Sequence, residues 1–468
     1  MFKSIFTNSF GILFSRILGF IRDLLTASIL GANIYSDIFF IAFKLPNLFR
    51  RIFAEGAFTQ AFLPAFTRSS HKALFATHIF MLFFMFIMLL TLIVNIFPQY
   101  ATIAIALGFD ETTIQLAAPY VAINFFYLPL IFAVTFLSTF LQYKHHFATT
   151  AFATGLLNIA LIVALILSRE YDQATIVNYL SYGVVVGGAL QLIVHLIALQ
   201  QKGLFKLLIG GIKYYRQKAY KITTESRRFT KQFFPAVWGN SSAQIAAFLD
   251  TWLASFLITG SISYLYYANR IFQLPLALFA IATSIALFPR VARHLKHHKT
   301  EEANTMLSKA FWFLNYILVV SALGGFILAN EIITLLFEHG AFSADDTKNS
   351  ALILQMYMLG LLPFGLQKLF ALWLYAQERQ AVAAKIATYS LASNVVLSLA
   401  LIIPMGASGL ALASTLSGFV SFLYTLKSYG YRNFLAIISL KKVTLWSVSA
   451  LVTLFFLLIF KEFIHVYL

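Results

Sequence analysis

Eleven ionisable side chains lie inside segments of this sequence that are otherwise apolar enough to cross a membrane. Each such charge costs about 2.5–3.5 kcal/mol at the centre of a membrane helix, and intramembrane charges mark substrate or ion pathways by default. Guanidinium groups bind phosphate through two parallel hydrogen bonds, so buried arginines favour a phosphorylated anion as ligand. The alternative is that the charges only pair with one another, for example Arg22 with Asp250. The eleven residues are Arg16, Arg22, Asp23, Asp37, Lys44, Arg50, Arg51, Glu55, Asp250, Arg270 and Lys368.

The spacing of these charges predicts that they share one region of the membrane. Arg16 and Asp23 are seven residues apart, which places them on the same face of a helix. Arg22 and Asp23 lie about 12–14 Å from the end of their span at 1.5 Å per residue. Asp250 and Arg270, in the second half of the chain, lie at a similar depth. The sequence therefore predicts a cavity between two halves that holds a multiply anionic substrate.

The composition identifies a polytopic membrane protein. The chain has 468 residues, of which 60% are hydrophobic and 11% are charged, with a formal net charge of +17. A soluble protein carries about 25% charged residues, and apolar runs of membrane-spanning length recur along the whole chain. The sequence contains no cysteine, which excludes disulfides and thiol chemistry.

The apolar runs predict thirteen membrane spans, the first of which is a retained helix and not a signal peptide. The predicted spans are 5–30, 35–63, 75–97, 113–141, 148–168, 177–199, 230–258, 263–289, 310–329, 350–376, 386–403, 409–427 and 443–460.

The loop charges orient these spans. With a cytoplasmic N-terminus, most lysines and arginines fall in inner segments, whereas the outer ones hold only Arg169, Lys348 and Lys461. This is the positive-inside pattern, and it predicts an outer C-terminus. The basic excess therefore orients the chain, and we expect no nucleic-acid partner.

An internal repeat relates the two halves at an offset of about 230 residues. RDLLTASILG (22–31) resembles LDTWLASFLITG (249–260), which aligns Asp23 with Asp250. GLLNIALIVALILS (155–168) resembles SLASNVVLSLALIIP (390–404), which aligns Asn158 with Asn394. The predicted organisation is a six-helix lobe over 1–200, a linker over 201–229, a six-helix lobe over 230–428 and an extra helix over 429–468.

Two short segments predict local structural features. The basic linker GLFKLLIGGIKYYRQKAYK (203–221) is amphipathic enough to lie along the inner leaflet; a solvated loop is the alternative. GVVVG (183–187) predicts close packing between helices.

No other chemistry is indicated. The loop histidines His145, His146, His294, His297 and His298 stand among lysines, without the acid or thiol that completes a metal site. The chain has no phosphate loop, nucleophile elbow or zincin motif. We therefore expect no enzyme activity, catalytic residue, metal or cofactor.

Two motifs carry a family resemblance. SRILGFIRD (15–23) and SDIFFIAFKLPNLFRRIFAEGAFTQAFLPAF (36–66) closely resemble the signature of the MurJ (MviN) family. Its members are bacterial lipid II flippases of the multidrug/oligosaccharidyl-lipid/polysaccharide (MOP) exporter superfamily. The resemblance implies an all-α fold like that of the MATE transporters, with two pseudo-symmetric six-helix lobes around a V-shaped cationic cavity and C-terminal helices that hold the lipid tail.

The family's essential arginines match Arg16, Arg22, Arg50 and Arg270, which are implied to bind substrate. Asp23, Asp37, Lys44 and Glu55 also fall on family signature positions; Arg51, Asp250 and Lys368 are expected to be supporting cavity charges. Two features depart from the family. Asn269 stands where an aspartate is common, and only one extra C-terminal span is predicted instead of two.

The expected function is translocation of lipid II across the bacterial inner membrane by alternating access, for cell-wall synthesis. Lipid II and membrane lipids are the expected partners, the chain is expected to act as a monomer, and no coupling ion is identified. The alternatives are a flippase for another polyprenyl-diphosphate glycan and a cation-coupled drug antiporter.

Overall fold

The computed structural model describes residues 2–52, 58–218 and 223–465. Helices make up almost all of this described part of the chain, and no strand occurs in it. The first ten helices are α1 (Phe2–Leu30), α2 (Ile34–Ile52), α3 (Phe58–Arg68), α4 (Lys72–Ile96), α5 (Pro98–Ile105), α6 (Glu111–Phe125), α7 (Tyr127–Tyr143), α8 (Ala148–Ser168), α9 (Gln173–Gln201) and α10 (Phe205–Lys218).

A second series of helices begins after residues 219–222, which lie outside the described ranges. A π-helical turn, Leu276–Ile281, separates α12 from α13. The helices are α11 (Thr223–Ala254), α12 (Ser261–Pro275), α13 (Ala282–Lys296), α14 (Thr300–Ile327), α15 (Ala329–Phe337), α16 (Ala344–Met358), α17 (Leu361–Ala376), α18 (Gln380–Tyr429), α19 (Tyr431–Ile437) and α20 (Leu440–His465).

Helices cover nearly all of the described parts of the thirteen predicted spans, but fewer than thirteen of them are long and apolar enough to qualify as candidate spans. Eight helices of the described chain are long and apolar enough to cross a membrane, and a ninth candidate is the pair α16 and α17, bent by 40°. The predicted span 35–63 covers α2, the undescribed residues 53–57 and part of α3. The predictions of an all-α fold and of a multi-pass chain are therefore confirmed.

The chain divides into two compact units, Met1–Gln244 and Ile245–Leu468. The predicted boundaries at 200, 229 and 428 follow sequence features, and they stay a prediction.

Phenylalanine rings form the core of unit 1 between α3, α4, α7 and the start of α11. Phe62 on α3 lies 5.5 Å from Phe75 and 5.5 Å from Phe136, between ring centroids. Phe233, on α11, meets Phe83 edge to face at 5.1 Å. The Phe62–Phe75 pair is stacked and the other two pairs are edge to face, and offset-stacked and edge-to-face arrangements are the favoured aromatic geometries. They attach the first part of α11 to unit 1.

Glycines allow α9 to approach α8 closely. A Cβ atom added to Gly187 would lie 2.7 Å from Cδ1 of Leu157, and one added to Gly183 would lie 3.0 Å from Cβ of Ala164. Larger side chains at these positions would force the two backbones apart. The prediction of close packing at GVVVG is confirmed.

The linker contains a helix that packs on α4. A Cβ atom added to Gly211 of α10 would lie 2.5 Å from the carbonyl oxygen of Ala73. Nδ1 of His78, on α4, shares a hydrogen bond of 2.8 Å with Oη of Tyr215 on α10. The helical reading of the linker is therefore correct over Phe205–Lys218. Its location at the inner leaflet stays a prediction.

A sharp break divides α18 in unit 2. Gly406 has φ +57° and ψ −134°, a combination that is essentially restricted to glycine. The break falls between the predicted spans 386–403 and 409–427, so one continuous hydrogen-bonded run contains two separate helical rods.

The last helix, α20, is attached to unit 2 near its C-terminal end. Nζ of Lys461 donates to the carbonyl oxygen of Ile327 at 3.2 Å and lies 3.9 Å from the buried carboxylate of Glu331. The apolar side chains along α20 are mostly exposed, as expected for a helix that faces hydrocarbon.

Candidate functional site

A buried ion pair occupies the contact between α1 and α8. Nη2 and Nε of Arg22 donate to Oδ1 of Asp23 at 2.6 and 3.1 Å. Nη1 of Arg22 donates to Oδ1 of Asn158, on α8, at 2.9 Å. Arg22 and Asp23 are 8% and 1% exposed, so solvent screens this pair only weakly. The guanidinium is thus held in one orientation from two sides.

Asn158 also ties the two helices together. Its Nδ2 donates to the carbonyl oxygen of Ser15 at 2.9 Å, while its Oδ1 holds Arg22. Gly19 lies opposite, where an added Cβ atom would be 3.4 Å from Nδ2 of Asn158. The absence of a side chain at Gly19 leaves room for the amide between the two turns of α1. One amide therefore connects α8 to both the backbone and the charge of α1.

Arg16 and Arg50 are more accessible than Arg22. Arg16 is exposed on α1, and Arg50 is half-buried near the end of α2. Nε of Arg50 donates to Oδ1 of Asn47 at 3.0 Å. Arg16 and Asp23 were expected to share one face, yet Arg16 is exposed while Asp23 is buried. The two residues lie on the same side of α1, as their spacing predicts, but neighbouring residues cover the turn that contains Asp23 and leave the side chain of Arg16 exposed.

Two other predicted charges, Asp37 and Lys44, lie in the first turn and in the middle of α2. Asn33 precedes the helix, and its Oδ1 accepts hydrogen bonds from the backbone N–H groups of Tyr35 and Ser36. Asp37 is 2% exposed in the first turn of α2, where a negative charge interacts favourably with the helix dipole. Lys44 is half-buried on the same helix. Glu55 and the side chain of Arg51 lie outside the described residues.

In unit 2, a hydrogen-bonded chain holds Asp250. Oγ of Ser414 donates to Oδ2 of Asp250 at 2.8 Å, and Nδ2 of Asn394 donates to Oγ of Ser414 at 3.1 Å. Asp250 is 9% and Asn394 is 1% exposed.

Arg270 and Lys368 are the predicted cations of unit 2. Nη2 of Arg270 donates to Oη of Tyr266 at 2.9 Å, and its guanidinium carbon lies 5.2 Å from the centroid of the same ring. Tyr266 is one turn away on α12, so it orients the guanidinium by both hydrogen bonding and cation–π attraction. Asn269 accepts a hydrogen bond from Gln273. Lys368 is exposed on α17.

Three polar residues that hold the predicted charges, Asn158 in unit 1 and Asn394 and Ser414 in unit 2, were not predicted to do so. The repeat aligns Asn158 with Asn394, but neither residue was expected to have a role in the site. A carboxamide inside an apolar span is the signal that would have found both, since a buried amide needs hydrogen-bond partners. Ser414 gives no such signal, because serine is common in membrane helices.

The loop histidines do not assemble a metal site in the described part of the chain, where no group of three metal-ligating side chains occurs. Burial, reinforced by the positive charge of Lys202, lowers the pKa of His146 below its ordinary value. Nδ1 of His294 lies 3.3 Å from the carboxylate of Glu302. His294 lies in the last turn of α13 and not in a loop, whereas His297 and His298 follow that helix.

A family model for "Lipid II flippase MurJ" matches residues 26–468. The chain belongs to the MurJ lipid II flippase family. A protein of Helicobacter pylori strain J99 named "Probable lipid II flippase MurJ" is 50% identical over 454 residues, covering 94% of this chain and 98% of the relative. Membership of the MurJ family makes the chain a multi-pass protein of the bacterial inner membrane and a lipid II flippase, a class of transporter.

Solved structures agree with the family. The structure described as "Lipid II flippase MurJ, inward closed conformation" has a TM-score of 0.80 at 26% identity, with 98% of both chains covered. An inward-facing multidrug MATE transporter of the MOP superfamily has a TM-score of 0.65 at 13% identity, with 90% of this chain and 95% of that one covered. The fold predicted for the MurJ family within the MOP superfamily is thereby confirmed.

Proposed function

We propose that this chain moves lipid II from the inner to the outer leaflet by alternating access, with its buried arginines as the diphosphate ligands. The observation that carries this proposal is the guanidinium of Arg22, held inside a membrane helix by Asp23 and Asn158. A charge at such a position costs about 2.5–3.5 kcal/mol. In a transporter for a diphosphate-linked lipid, that positive charge binds the diphosphate.

Arg16, Arg22, Arg50 and Arg270 have the chemistry for this role. Each presents a planar fork that matches two phosphate oxygens. Exposed Arg16 and half-buried Arg50 and Arg270 are accessible to a substrate in the present conformation. Arg22 is already engaged, so a phosphate oxygen must take the place of Asp23 at its fork.

Asp23 and Asp250 orient the cavity arginines or release them during transport. Asp23 occupies the Arg22 fork when no diphosphate is bound, and it would release the fork as substrate enters. Asp250 is held instead by Ser414. We propose that Asp37, Lys44, Arg51, Glu55 and Lys368 support the cavity charge without direct phosphate contact.

The proposal includes a cytoplasmic N-terminus and a functional monomer. The distribution of basic residues supports the orientation. The buried Arg22–Asp23–Asn158 group lies within unit 1 of one chain and needs no partner subunit. Net negative substrate moving outward gains about 2.3 kcal/mol per charge per 100 mV of inside-negative potential, so potential can drive the step.

Depletion of the protein in its own cells tests the proposed substrate. We expect lipid II to accumulate in the inner leaflet, where an outer-surface hydrolase or a membrane-impermeant label cannot reach it. Accumulation of another polyprenyl-diphosphate glycan, with normal exposure of lipid II, would contradict the assignment. Increased retention of cationic drugs with normal lipid II exposure would favour an antiporter.

A further inference from the structure

Unit 1 contains an apolar cavity that the proposed transport route does not use. Its volume is about 590 Å³, and it lies between α4, α7, α9 and α10. Residues on all four helices line it, among them Phe80, Met88, Leu137, Val185, Leu196 and Leu208. We call this cavity the α4–α9 slot. We propose that the slot binds one acyl chain of an anionic phospholipid whose headgroup is held by lysines at its α10 end.

The length of the slot matches one acyl chain. Val185 and Leu196 mark its extent along α9, which corresponds to about 16 Å at 1.5 Å per residue. Half of a hydrocarbon core about 30 Å thick is about 15 Å. Leu208 of α10 lines the slot together with Leu196, near the point where α9 ends at Gln201. The slot therefore reaches from one membrane surface to about the middle of the bilayer.

The lining determines the chemistry of the occupant. Every residue that lines the slot is apolar, so water in it would lack hydrogen-bond partners. An empty space of this size would forfeit the dispersion contacts of its walls. Met85, Phe86, Ile193 and Ile197, on the neighbouring turns of α4 and α9, are exposed. A hydrocarbon chain from the surrounding membrane fits both the shape and the polarity of the slot.

The α10 end of the slot carries basic charge. Lys144 follows α7, Lys202 follows α9 and Lys206 begins α10, and all three side chains are exposed. Nζ of Lys72, at the start of α4, lies 3.5 Å from Oη of Tyr143 at the end of α7. The sequence has no acidic residue over 56–109, 112–169 or 173–224. A headgroup at this end thus meets lysines without competing carboxylates from these segments.

The amphipathic helix α10 completes the site. Ile209 and Ile212 are exposed beside the exposed lysines Lys206 and Lys213, a pattern typical of a helix that lies at the membrane interface. The His78–Tyr215 hydrogen bond and the close contact at Gly211 hold α10 against α4. The contact between α10 and α4 therefore places Leu208 next to the bound acyl chain and the lysines of α10 next to the lipid headgroup. Anionic lipids attract basic segments next to the membrane.

The test uses the full-length chain in nanodiscs and phospholipids with a photoreactive diazirine in the acyl chain. Phosphatidylglycerol is the anionic probe, and phosphatidylcholine of the same chain length is the neutral one. Crosslinked peptides are mapped by mass spectrometry. We expect phosphatidylglycerol to label peptides of α4, α7 and α9 that line the slot, and phosphatidylcholine to label them much less.

Two pairs of variants separate the chain site from the headgroup site. V185W fills the slot and should remove the labelling, whereas V186W changes a neighbouring exposed residue and should not. K202Q with K206Q leaves the packing intact and should weaken phosphatidylglycerol binding roughly 30-fold. K296Q with K441Q removes two exposed lysines of unit 2 and is the matched control. Gel filtration and thermal unfolding establish that each variant is folded.

Three results would overturn the proposal. Equal labelling by both lipids would exclude selection for an anionic headgroup. Unchanged labelling in folded V185W would exclude the slot as the chain site. If V185W does not fold, the K202Q/K206Q variant alone tests the proposal. Unchanged phosphatidylglycerol binding by that variant would refute the site. Lipid II exposure is measured in parallel, so that loss of transport is distinguished from loss of phospholipid.

Discussion

Asn158 of α8 holds the guanidinium of Arg22 on α1, with Oδ1 of the amide 2.9 Å from Nη1. The same amide donates to the backbone of Ser15 through Nδ2. The orientation of a charged group inside the membrane is thus linked to the packing of two helices. Because Arg22 also binds Asp23, any change at one of the three residues alters the other two.

Arg22→Ala should lower protein abundance as well as abolish flipping. Removing one partner of a buried ion pair is destabilising by about 3–5 kcal/mol, since Asp23 stays buried. The neutral double variant R22A/D23N should recover abundance but not transport. R22K should recover transport only in part, because lysine lacks the planar fork. The measurement is the fraction of lipid II accessible at the outer surface, normalised to protein level.

Arg293→Ala is the control for this series. Arg293 is exposed on α13, so its removal should change neither abundance nor flipping. Normal flipping by R22A/D23N would show that Arg22 has a structural role only.

Asn158→Ala should reduce flipping and lower stability by about 1–3 kcal/mol. The variant removes two hydrogen bonds and frees the Arg22 side chain to turn. N158A and R22K should be non-additive in flipping, because both act on the position of one charge. Asn95→Ala is the matched control, since Nδ2 of Asn95 donates to the carbonyl oxygen of Thr91 on its own helix. Strict additivity would indicate that Asn158 acts through packing alone.

The aligned residue Asn394 should behave like Asn158. It reaches Asp250 through Ser414, so N394A and S414A should each impair flipping, and the double variant should be no worse than the stronger single one. Ser390→Ala is the control on the same helix, because its Oγ donates to the carbonyl oxygen of Ser417. If only S414A impairs flipping, the repeat relates the folds of the two halves but not the roles of the two amides.

The sequence predicts the helices, the spans and the family, because apolar runs and the motif at 36–66 are local features. It also identifies Asp23 and Asp250 as equivalent positions. It cannot predict their different partners. Asp23 pairs with the adjacent Arg22, whereas Asp250 accepts from Ser414, 164 residues away. Such partners depend on helix packing, and no period or motif encodes it. The slot beneath α10 was missed for the same reason, since its lining comes from four helices.

Gly406→Ala should destabilise the protein by about 1–3 kcal/mol. The backbone there has φ +57° and ψ −134°, a conformation that costs little for glycine but strains a residue with a Cβ atom. Gly324→Ala is the control, because nothing lies within 4 Å of an added Cβ atom and its φ is not in the left-handed region. Thermal unfolding in detergent should show a lower midpoint for G406A and an unchanged or higher one for G324A. Equal midpoints would mean that the turn relaxes without strain.

Flipping should depend on the membrane potential at constant pH. The diphosphate carries net negative charge outward, and an inside-negative potential of about 100 mV favours this by about 2.3 kcal/mol per charge, or roughly 50-fold. In proteoliposomes with equal pH on both sides, a potassium gradient with valinomycin sets the potential. Outward flipping should rise with an inside-negative potential and fall when the gradient is reversed. R22A/D23N serves as the protein control. It keeps the net charge of unit 1, because it removes two opposite charges, but it should not flip lipid II at any potential. If the flipping rate is the same at all potentials but changes with an imposed ion gradient, the driving force is ion exchange and not the membrane potential.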